Sequence, residues 1–454
     1  MKLPSPPPQI ANVLGGPTPD IDVLVRIIAT QIRPVVGNRY VHWDRLRHLT
    51  PPTGLTHEQW WIGVKMARRN VSEPLPIIAV GGRPFTYALP PSALEMLHHI
   101  DQDAAGEIVL SEAVVNPPDR GRYLVNSLIE EAITSSQLEG ASTTRSVAKD
   151  MIRTGRNPRD KSELMILNNW RAMNFLREHA DEPLTPDLVL ELHRVVTEGT
   201  LETPGAAGRL QTSDEIRVEV ADPLDGQLLH RPPPADTLPA RLLELCRFAN
   251  GETPDGFLHP VVRAILVHFW LAYDHPFEDG NGRTARALFY WCMLRNRYWL
   301  AEYLSISRIL NRARASYVRS FLYAESDDND ATYFLLSQLR VILRAIDELK
   351  KYLRAKMRSV REIEALLKRT DLNHRQIALL GHALRNPDAE YSYRSHATSH
   401  NVVRESARSD LLDLEARGYL RRHKISRAMY FQPAPDLGRI VAGTAEAPRA
   451  RTGG

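Results

Sequence analysis

Apolar residues recur at helical spacing through most of the chain. Ile21, Val23, Ile27, Ile28 and Ile32 line one stripe over 21–35. The pattern predicts further helices over 40–47, 58–69 and 92–101, with Trp43, Trp60 and Trp61 as core candidates. The period shortens to two at 77–80 and 85–87, which read as strands joined at Gly81-Gly82. The strongest amphipathic stretch is 122–138. Leu124, Leu128 and Ala132 form one row there and Val125, Ile129 and Ile133 the next, with Gly140 as a left-handed stop. Helical patterns return over 162–180, 185–198, 238–250, 257–273, 283–295, 306–323 and 332–367. Between them Ile216, Val218 and Val220 alternate as a strand, 222–226 is turn chemistry around Pro223-Leu224, and 227–230 is the return strand. Beyond Asn373 the texture changes to short helices at 373–384, 393–400 and 404–417, then a two-stranded ribbon over 419–424 and 428–431. Its tip is Ile425-Ser426-Arg427. Residues 1–20 and 433–454 read as extended or disordered.

One loop between two of these helices concentrates chemistry: His275-Pro276-Phe277-Glu278-Asp279-Gly280-Asn281-Gly282-Arg283-Thr284-Ala285-Arg286. Gly280 and Gly282 let the backbone turn and present successive N–H groups. These groups sit at the positive end of the following helix, a ready anion site. Arg283 and Arg286, spaced i,i+3, suit a chain of phosphates because guanidinium forks match phosphate oxygens. Asp279 is a hard oxygen ligand for a Mg²⁺-nucleotide, and His275 is a base that can be neutral near pH 7. A base, a metal ligand, an anion nest and two guanidiniums together describe nucleotidyl or phosphoryl transfer.

At these residues the sequence resembles the Fic family, whose signature H-[PF]-F-x-[DE]-G-N-G-R-x-x-R is met at every position from His275 to Arg286. The resemblance implies transfer of AMP from ATP to a hydroxyl side chain of a target protein. It makes His275 the base and Asp279 the Mg²⁺ ligand. Gly280, Asn281 and Gly282 become the phosphate cradle, and Arg283 and Arg286 the partners of the β- and γ-phosphates. Gly282, where the related Doc-type kinases have Lys, favours nucleotidyl transfer over phosphorylation. Upstream, Ser135, Glu139 and Gly140 resemble the family's inhibitory helix, [ST]-x-x-x-E-[GN]. Glu139 is poorly placed against the negative end of its own helix dipole and wants a cation. The resemblance supplies Arg286, so that the pair would take the place of the γ-phosphate. The hairpin bearing Ile216, Val218 and Val220 resembles the family's target-docking flap. Three helices and a ribbon past Asn373 resemble a winged helix-turn-helix. There Arg404, Ser406 and Arg408 would face DNA and Arg421 and Arg422 would decorate the wing.

Composition narrows the setting. Apolar residues are 43% and charged residues 25%, as in soluble globular proteins. Residues 351–454 carry 20 Lys and Arg against 11 Asp and Glu, an excess of nine positive charges, while the whole chain is only +4. That asymmetry suits a polyanion or a solvated surface. Cys246 and Cys292 lack metal-ligand spacing. No apolar leader and no membrane-length run are found, so a cytoplasmic protein without a membrane partner is expected.

The fold class expected is mainly α: a Fic-type helical core with a small β-hairpin flap, plus a C-terminal winged-helix domain. The expected divisions are an α-rich extension (1–120), the core (121–350, inhibitory helix 122–140), a basic helix and winged helix-turn-helix (351–432), and a tail. The function expected is ATP- and Mg²⁺-dependent protein adenylylation, including automodification, restrained by Glu139. UMP or phosphocholine transfer, reverse removal of AMP, and a DNA-binding regulator with a nucleotide-sensing site stay open, as does a homodimer.

Overall fold

The computed structural model describes residues 3–9, 13, 20–104, 117–222, 225–367, 370–386, 389–425 and 428–446. The turn at Pro223-Leu224, the wing tip at Ser426-Arg427, residues 447–454 and the side chains of Leu124 and Val125 lie outside those described. The chain forms two compact units, 1–349 and 350–454.

In chain order the first unit contains α1 (Ile21–Ala29), α2 (Trp43–Leu46), α3 (His57–Arg69), β1 (Glu73–Ile78), β2 (Pro84–Tyr87), α4 (Pro91–Ala104), α5 (Pro117–Leu138) and α6 (Arg145–Thr154). It continues with α7 (Lys161–Glu178), α8 (Pro186–Thr197), β3 (Val220–Ala221), β4 (Leu228–His230), α9 (Leu238–Asn250), α10 (Pro260–Asp274) and α11 (Asn281–Arg295). It closes with α12 (Ile306–Arg312), α13 (Arg314–Ser326) and the start of α14 (Thr332–Leu367). The strands form antiparallel pairs, β1 with β2 and β3 with β4.

The core is built on α10 and α11, which pack against each other and are buried almost all round. A helix apolar on every face is stable only when others surround it. Here α7, α8 and α5 cover α11, and α9 covers α10. Proline at the first turn and a His259 side chain accepting from the Val261 N–H at 3.2 Å start α10.

The N-terminal segment is tied to the same body by a buried polar cluster. Lys65 Nζ lies 2.6 Å from Asp327 Oδ1, and the Tyr333 hydroxyl donates to Asp327 Oδ2 at 2.7 Å. Arg68 donates to the Tyr333 hydroxyl at 2.5 Å and lies 3.6 Å from the centre of the Tyr40 ring. Tyr40 in turn donates to Asp330 at 2.5 Å.

Three expectations are corrected in this unit. The pattern over 306–323 is two helices, because Ala313 leaves helical geometry at φ −129° and ψ 37° and serves as the end of one and the start of the other. An unanticipated helix, α6, is opened by Thr144 and closed by left-handed Gly155, and buries Ala148 and Met151. The strand expected from Ile216 pairs only at Val220 and Ala221, with a register shift between them. Residues before it are held in a turn by Arg209–Glu215 and by the Thr212 N–H on Glu215, which leaves Ile216 94% exposed.

The second unit holds the end of α14, then α15 (His374–Arg385), α16 (Tyr393–His400), α17 (Arg404–Ala416), β5 (Leu420–Ile425), β6 (Ala428–Pro433) and α18 (Leu437–Glu446). Leu379, Leu380, Leu411, Leu414, Tyr419 and Phe431 form its core. Asp410 is the polar pin, accepting from Asn373 and Arg375 at 2.7 Å and lying 3.1 Å from His396 Nε2. The segment expected to be a disordered tail instead carries α18. Its Leu437 and Val441, one helical turn apart, enter the core, an amphipathic signal masked by the Ala- and Gly-rich composition around it.

Removing one partner of a buried ion pair costs about 3–5 kcal/mol. Asp327→Ala should therefore lower the denaturant midpoint of the Trp43/Trp60/Trp61 fluorescence transition by that equivalent. Asp328→Ala, whose side chain is half exposed, should stay within about 1 kcal/mol. Equal shifts for the two variants would remove the cluster from its structural role.

Candidate functional site

The loop from His275 to Gly280 joins α10 to α11. His275 is the first residue past α10 and adopts left-handed geometry, φ 46° and ψ 52°, with its N–H on the Leu271 carbonyl at 3.0 Å. A non-glycine residue there stores strain of about 1 kcal/mol or more, so the surroundings must hold it. They do so through carbonyls. His230 Nε2 lies 2.7 Å from the Tyr273 oxygen, Arg217 donates to the Asp274 and His275 oxygens at 2.8 and 3.2 Å, and the Gln211 N–H donates to the Pro276 oxygen at 2.9 Å. The Asp274 carboxylate is fixed by Arg241 and by the Trp270 indole N–H at 3.0 Å.

Asn281 cross-braces the loop. Its Oδ1 accepts from the Phe277 N–H at 2.9 Å and its Nδ2 donates to the Phe277 oxygen at 2.8 Å. Its amide is thus occupied within the loop. Glu278 turns away and accepts from the Thr203 N–H at 3.3 Å. Asp279 accepts from the Gly280 N–H at 2.5 Å, lies 3.3 Å from Arg283, and keeps a half-exposed side chain. Gly280 has φ +82°, and a Cβ there would sit 2.5 Å from Thr197 Cγ2, so only glycine fits. No side chain caps α11. The first-turn N–H groups of such a helix have no intrahelical partner.

His193, unremarked in the sequence, sets the loop from behind. Its ring stacks on Phe277 with centroids 3.7 Å apart, accepts the Gly208 N–H at Nδ1 (2.9 Å), and so donates from Nε2 to the Asp279 oxygen at 2.9 Å. It lies in the apolar stripe of α8 with Val189, Leu192 and Val196, where a histidine reads as core.

The two arginines differ electrically. Arg283 is fully buried, donates to the Val196 oxygen at 3.0 Å, and has a buried Nε without a hydrogen-bond partner. Burial pulls its pKa down and Asp279 only partly offsets that. Arg286 is equally buried and desolvation pulls its pKa down, but Glu139, Tyr317 and Glu131 together outweigh that and the net shift is upward. It donates to Ser135 Oγ at 2.9 Å, the Ser135 oxygen at 3.0 Å and Glu139 Oε1 at 2.9 Å. The Glu139 carboxylate rests on the first turn of α11: a Cβ on Gly282 would be 2.2 Å from its Oε1. Gly140 follows with φ +96°. Glu131, two turns before Glu139, anchors α5 by accepting from Ser305 Oγ at 2.9 Å and from the N–H and hydroxyl of Ser307. Ser135, Glu139, Gly282 and Arg286 therefore meet in one place.

Val218 and Val220 are half-buried, and Ile216 points to solvent. The second unit carries Arg404, Arg408 and Arg421 exposed and Ser406 half-buried. Arg408 pairs with Glu405 and Arg422 with Glu415, at 3.3 and 3.1 Å.

Residues 183–293, from the start of α8 through α11, match the model of the Fic/DOC family. The chain is 28% identical over 180 residues to a protein adenylyltransferase Fic of Nematostella vectensis, covering 38% of this chain and 39% of that one. It is also 28% identical over 173 residues to protein adenylyltransferase fic-1 of Caenorhabditis elegans, covering 37% and 31%. The matches thus span well under half the length of these relatives. A crystal structure of a Fic family protein from Desulfovibrio desulfuricans shares the fold with a TM-score of 0.50 at 19% identity, covering 76% of this chain and 96% of the other.

Burial pushes His193 and His275 down to about 4 and His268 down to about 3, from an ordinary 6.5. The unfolded chain takes up these protons below about 6.5 and the folded chain does not. Stability from these groups is therefore complete above that pH and is lost as pH falls toward about 4. His230 acts oppositely: burial lowers its pKa, but Glu325 and the Tyr273 carbonyl outweigh it, and the net shift is upward. Melting temperature should fall between pH 7 and pH 5, and His193→Gln should flatten the fall. A temperature that rises over that interval would contradict the neutral-imidazole assignment.

Proposed function

We propose that the chain is a protein adenylyltransferase that moves AMP from ATP to a hydroxyl side chain of a target protein or of itself. The observation that carries this is the under-compensated Arg283, buried with an unpartnered Nε at the uncapped start of α11, four residues from Asp279 and in the same loop as His275. Such a site calls for an anion, and the similar proteins supply the class of anion. His275 would take the proton of the target hydroxyl as its oxygen bonds to the α-phosphorus and the bond to the pyrophosphate breaks. A buried imidazole with its pKa near 4 is neutral at physiological pH and free to accept. The N–H groups of Asn281 and Gly282 and the Arg283 fork would hold phosphate oxygens, with Gly280, whose N–H is taken by Asp279, making the turn that presents them.

The Asp279 carboxylate fits Mg²⁺, which takes one or two carboxylates plus phosphate and water oxygens. Among the described residues no cluster of three His, Cys, Asp or Glu could hold a metal without a nucleotide. The ion, when bound, would neutralise phosphate charge. Glu139 on Arg286 and against Gly282 places a negative charge where a terminal phosphate would sit, and so restrains ATP binding. The flap from Val218 to Val220 would hold the target segment. No helix among the described residues is long and apolar enough to cross a membrane.

The second unit supports a separate reading, duplex DNA binding. Asn401 takes left-handed geometry, φ 48°, between α16 and α17, which makes the tight turn a helix-turn-helix needs, and Arg404 and Arg421 are exposed beyond it.

Intact-mass analysis after incubation with ATP and Mg²⁺ tests the enzymatic reading. Wild type should gain AMP slowly, Glu139→Gly faster, and Glu139→Gly/His275→Ala not at all. Addition of a different mass would point to another transfer, and loss of AMP from purified modified protein given to wild type without ATP would show the reverse reaction. For the second unit, full-length protein should bind duplex DNA with an affinity that drops steeply as salt rises, and more weakly with Arg404→Ala and Arg421→Ala. A response to salt that is flat would sink it.

A further inference from the structure

The C-terminus of an α-helix leaves four carbonyls without intrahelical partners. At the end of α10 four successive carbonyls, Tyr273 to Pro276, are all met by the segment 211–230: His230, Arg217 twice, and the Gln211 N–H. Arg217 is the centre of this clamp. Its guanidinium spans the Asp274 and His275 oxygens, donates also to Gln211 Oε1, and reaches the Pro233 oxygen from Nε at 3.0 Å. Its neighbours in sequence, Ile216 and Val218, are the flap residues. One residue thus faces the strained backbone of the base on one side and the flap on the other.

We propose that Arg217 is a positioning residue for transfer: it holds His275 in its left-handed geometry and couples the flap's conformation to the placement of the base. The inference rests on the reading of His275 as the base. A fork is required because two carbonyls on consecutive residues must be held at once, which an ammonium group cannot do in the plane. A flap displaced by an ill-fitting segment would pull the fork away and let His275 relax toward ordinary φ. The base would then be in place only when the flap is correctly seated, a specificity device that costs rate for wrong targets.

Charge gives an independent readout. The groups acting on His275 are His230 from β4, Glu139 just past α5, the Ala272 backbone and Arg217 from the flap segment. Arg217 and His230 disfavour the imidazolium, and Glu139 favours it.

The test uses the full chain in the Glu139→Gly background with labelled ATP, reading initial automodification rate, KM for ATP and the pH–rate profile. Arg217→Gln should lower kcat by about ten- to a hundredfold with KM for ATP unchanged, and move the acid limb to higher pH. Arg217→Lys, which keeps charge but not the fork, should return the limb to its original position without restoring the rate. Gln211→Ala, which loosens the fork and keeps the charge, should lower kcat with the limb in place, and with Arg217→Lys carries the test if Arg217→Gln does not fold. Unchanged kcat in all folded variants, or a loss that appears wholly in KM, would overturn the proposal. Transfer that survives His275→Ala would instead overturn the assignment of the base, whatever Arg217 does.

Discussion

A helix that begins with two fully buried guanidiniums carries concentrated positive charge, because its own dipole adds to theirs. Taking such charge out of water is tolerated only where anions are brought to it. Much of the first unit is arranged to supply them. Asp279 comes from the loop, Glu139 and Ser135 from the last turns of α5, and Val196 offers a carbonyl from α8. The compensation is uneven. Arg286 is met on several sides, whereas Arg283 has one weak carboxylate contact and an idle Nε. The proposed anion site rests on that imbalance. It also explains why helices distant in sequence must converge on the start of α11.

The opposite end of the preceding helix poses the complementary problem. Its carbonyls gather negative partial charge, and the segment between α8 and α9 answers with Arg217, His230 and a backbone N–H. The loop is therefore suspended between an anion-seeking and a cation-seeking terminus. Its middle is held by Asn281 on Phe277 and by His193 on the Asp279 carbonyl. No part of this bracing depends on the adenylylation reading; it follows from where the two helices end.

Helix periodicity made most of the first unit legible, and α9 lies where its pattern put it, at Leu238–Asn250. The pattern failed where tertiary contacts overrode local alternation. Ile216, Val218 and Val220 alternate as a strand would, yet the inward turn of Arg217 uses the geometry that strand pairing needs. Ala313 interrupts a continuous apolar stripe without a proline or glycine to announce it, and the break sets Tyr317 against His268 at 2.8 Å. The chemistry of the loop was legible because its residues are contiguous. Glu139 and Arg286 stand 147 residues apart, and only a family resemblance, not spacing, could join them. His193 and Arg217 left no signal, since a histidine in an apolar stripe and an arginine in a hairpin are ordinary there.

Glu131 and Ser135 lie on one row of α5, a turn apart, and Glu139, the first residue past the helix, continues that row. The first is locked by Ser305 and Ser307, and the helix between is further held by Asn169 on the Ala132 oxygen and by Ser136 on the Met165 oxygen. The last member of the row is partly exposed and has its carboxylate on Arg286. With the helix so anchored, departure of its carboxylate from Arg286 would ask for a rotamer change of one side chain and no displacement of the helix. Rotamer changes of exposed side chains take nanoseconds or less, and helix displacements take microseconds or longer. On the adenylyltransferase reading, a phosphate arriving at Arg286 would exchange with one carboxylate while the rest of the helix keeps its anchors.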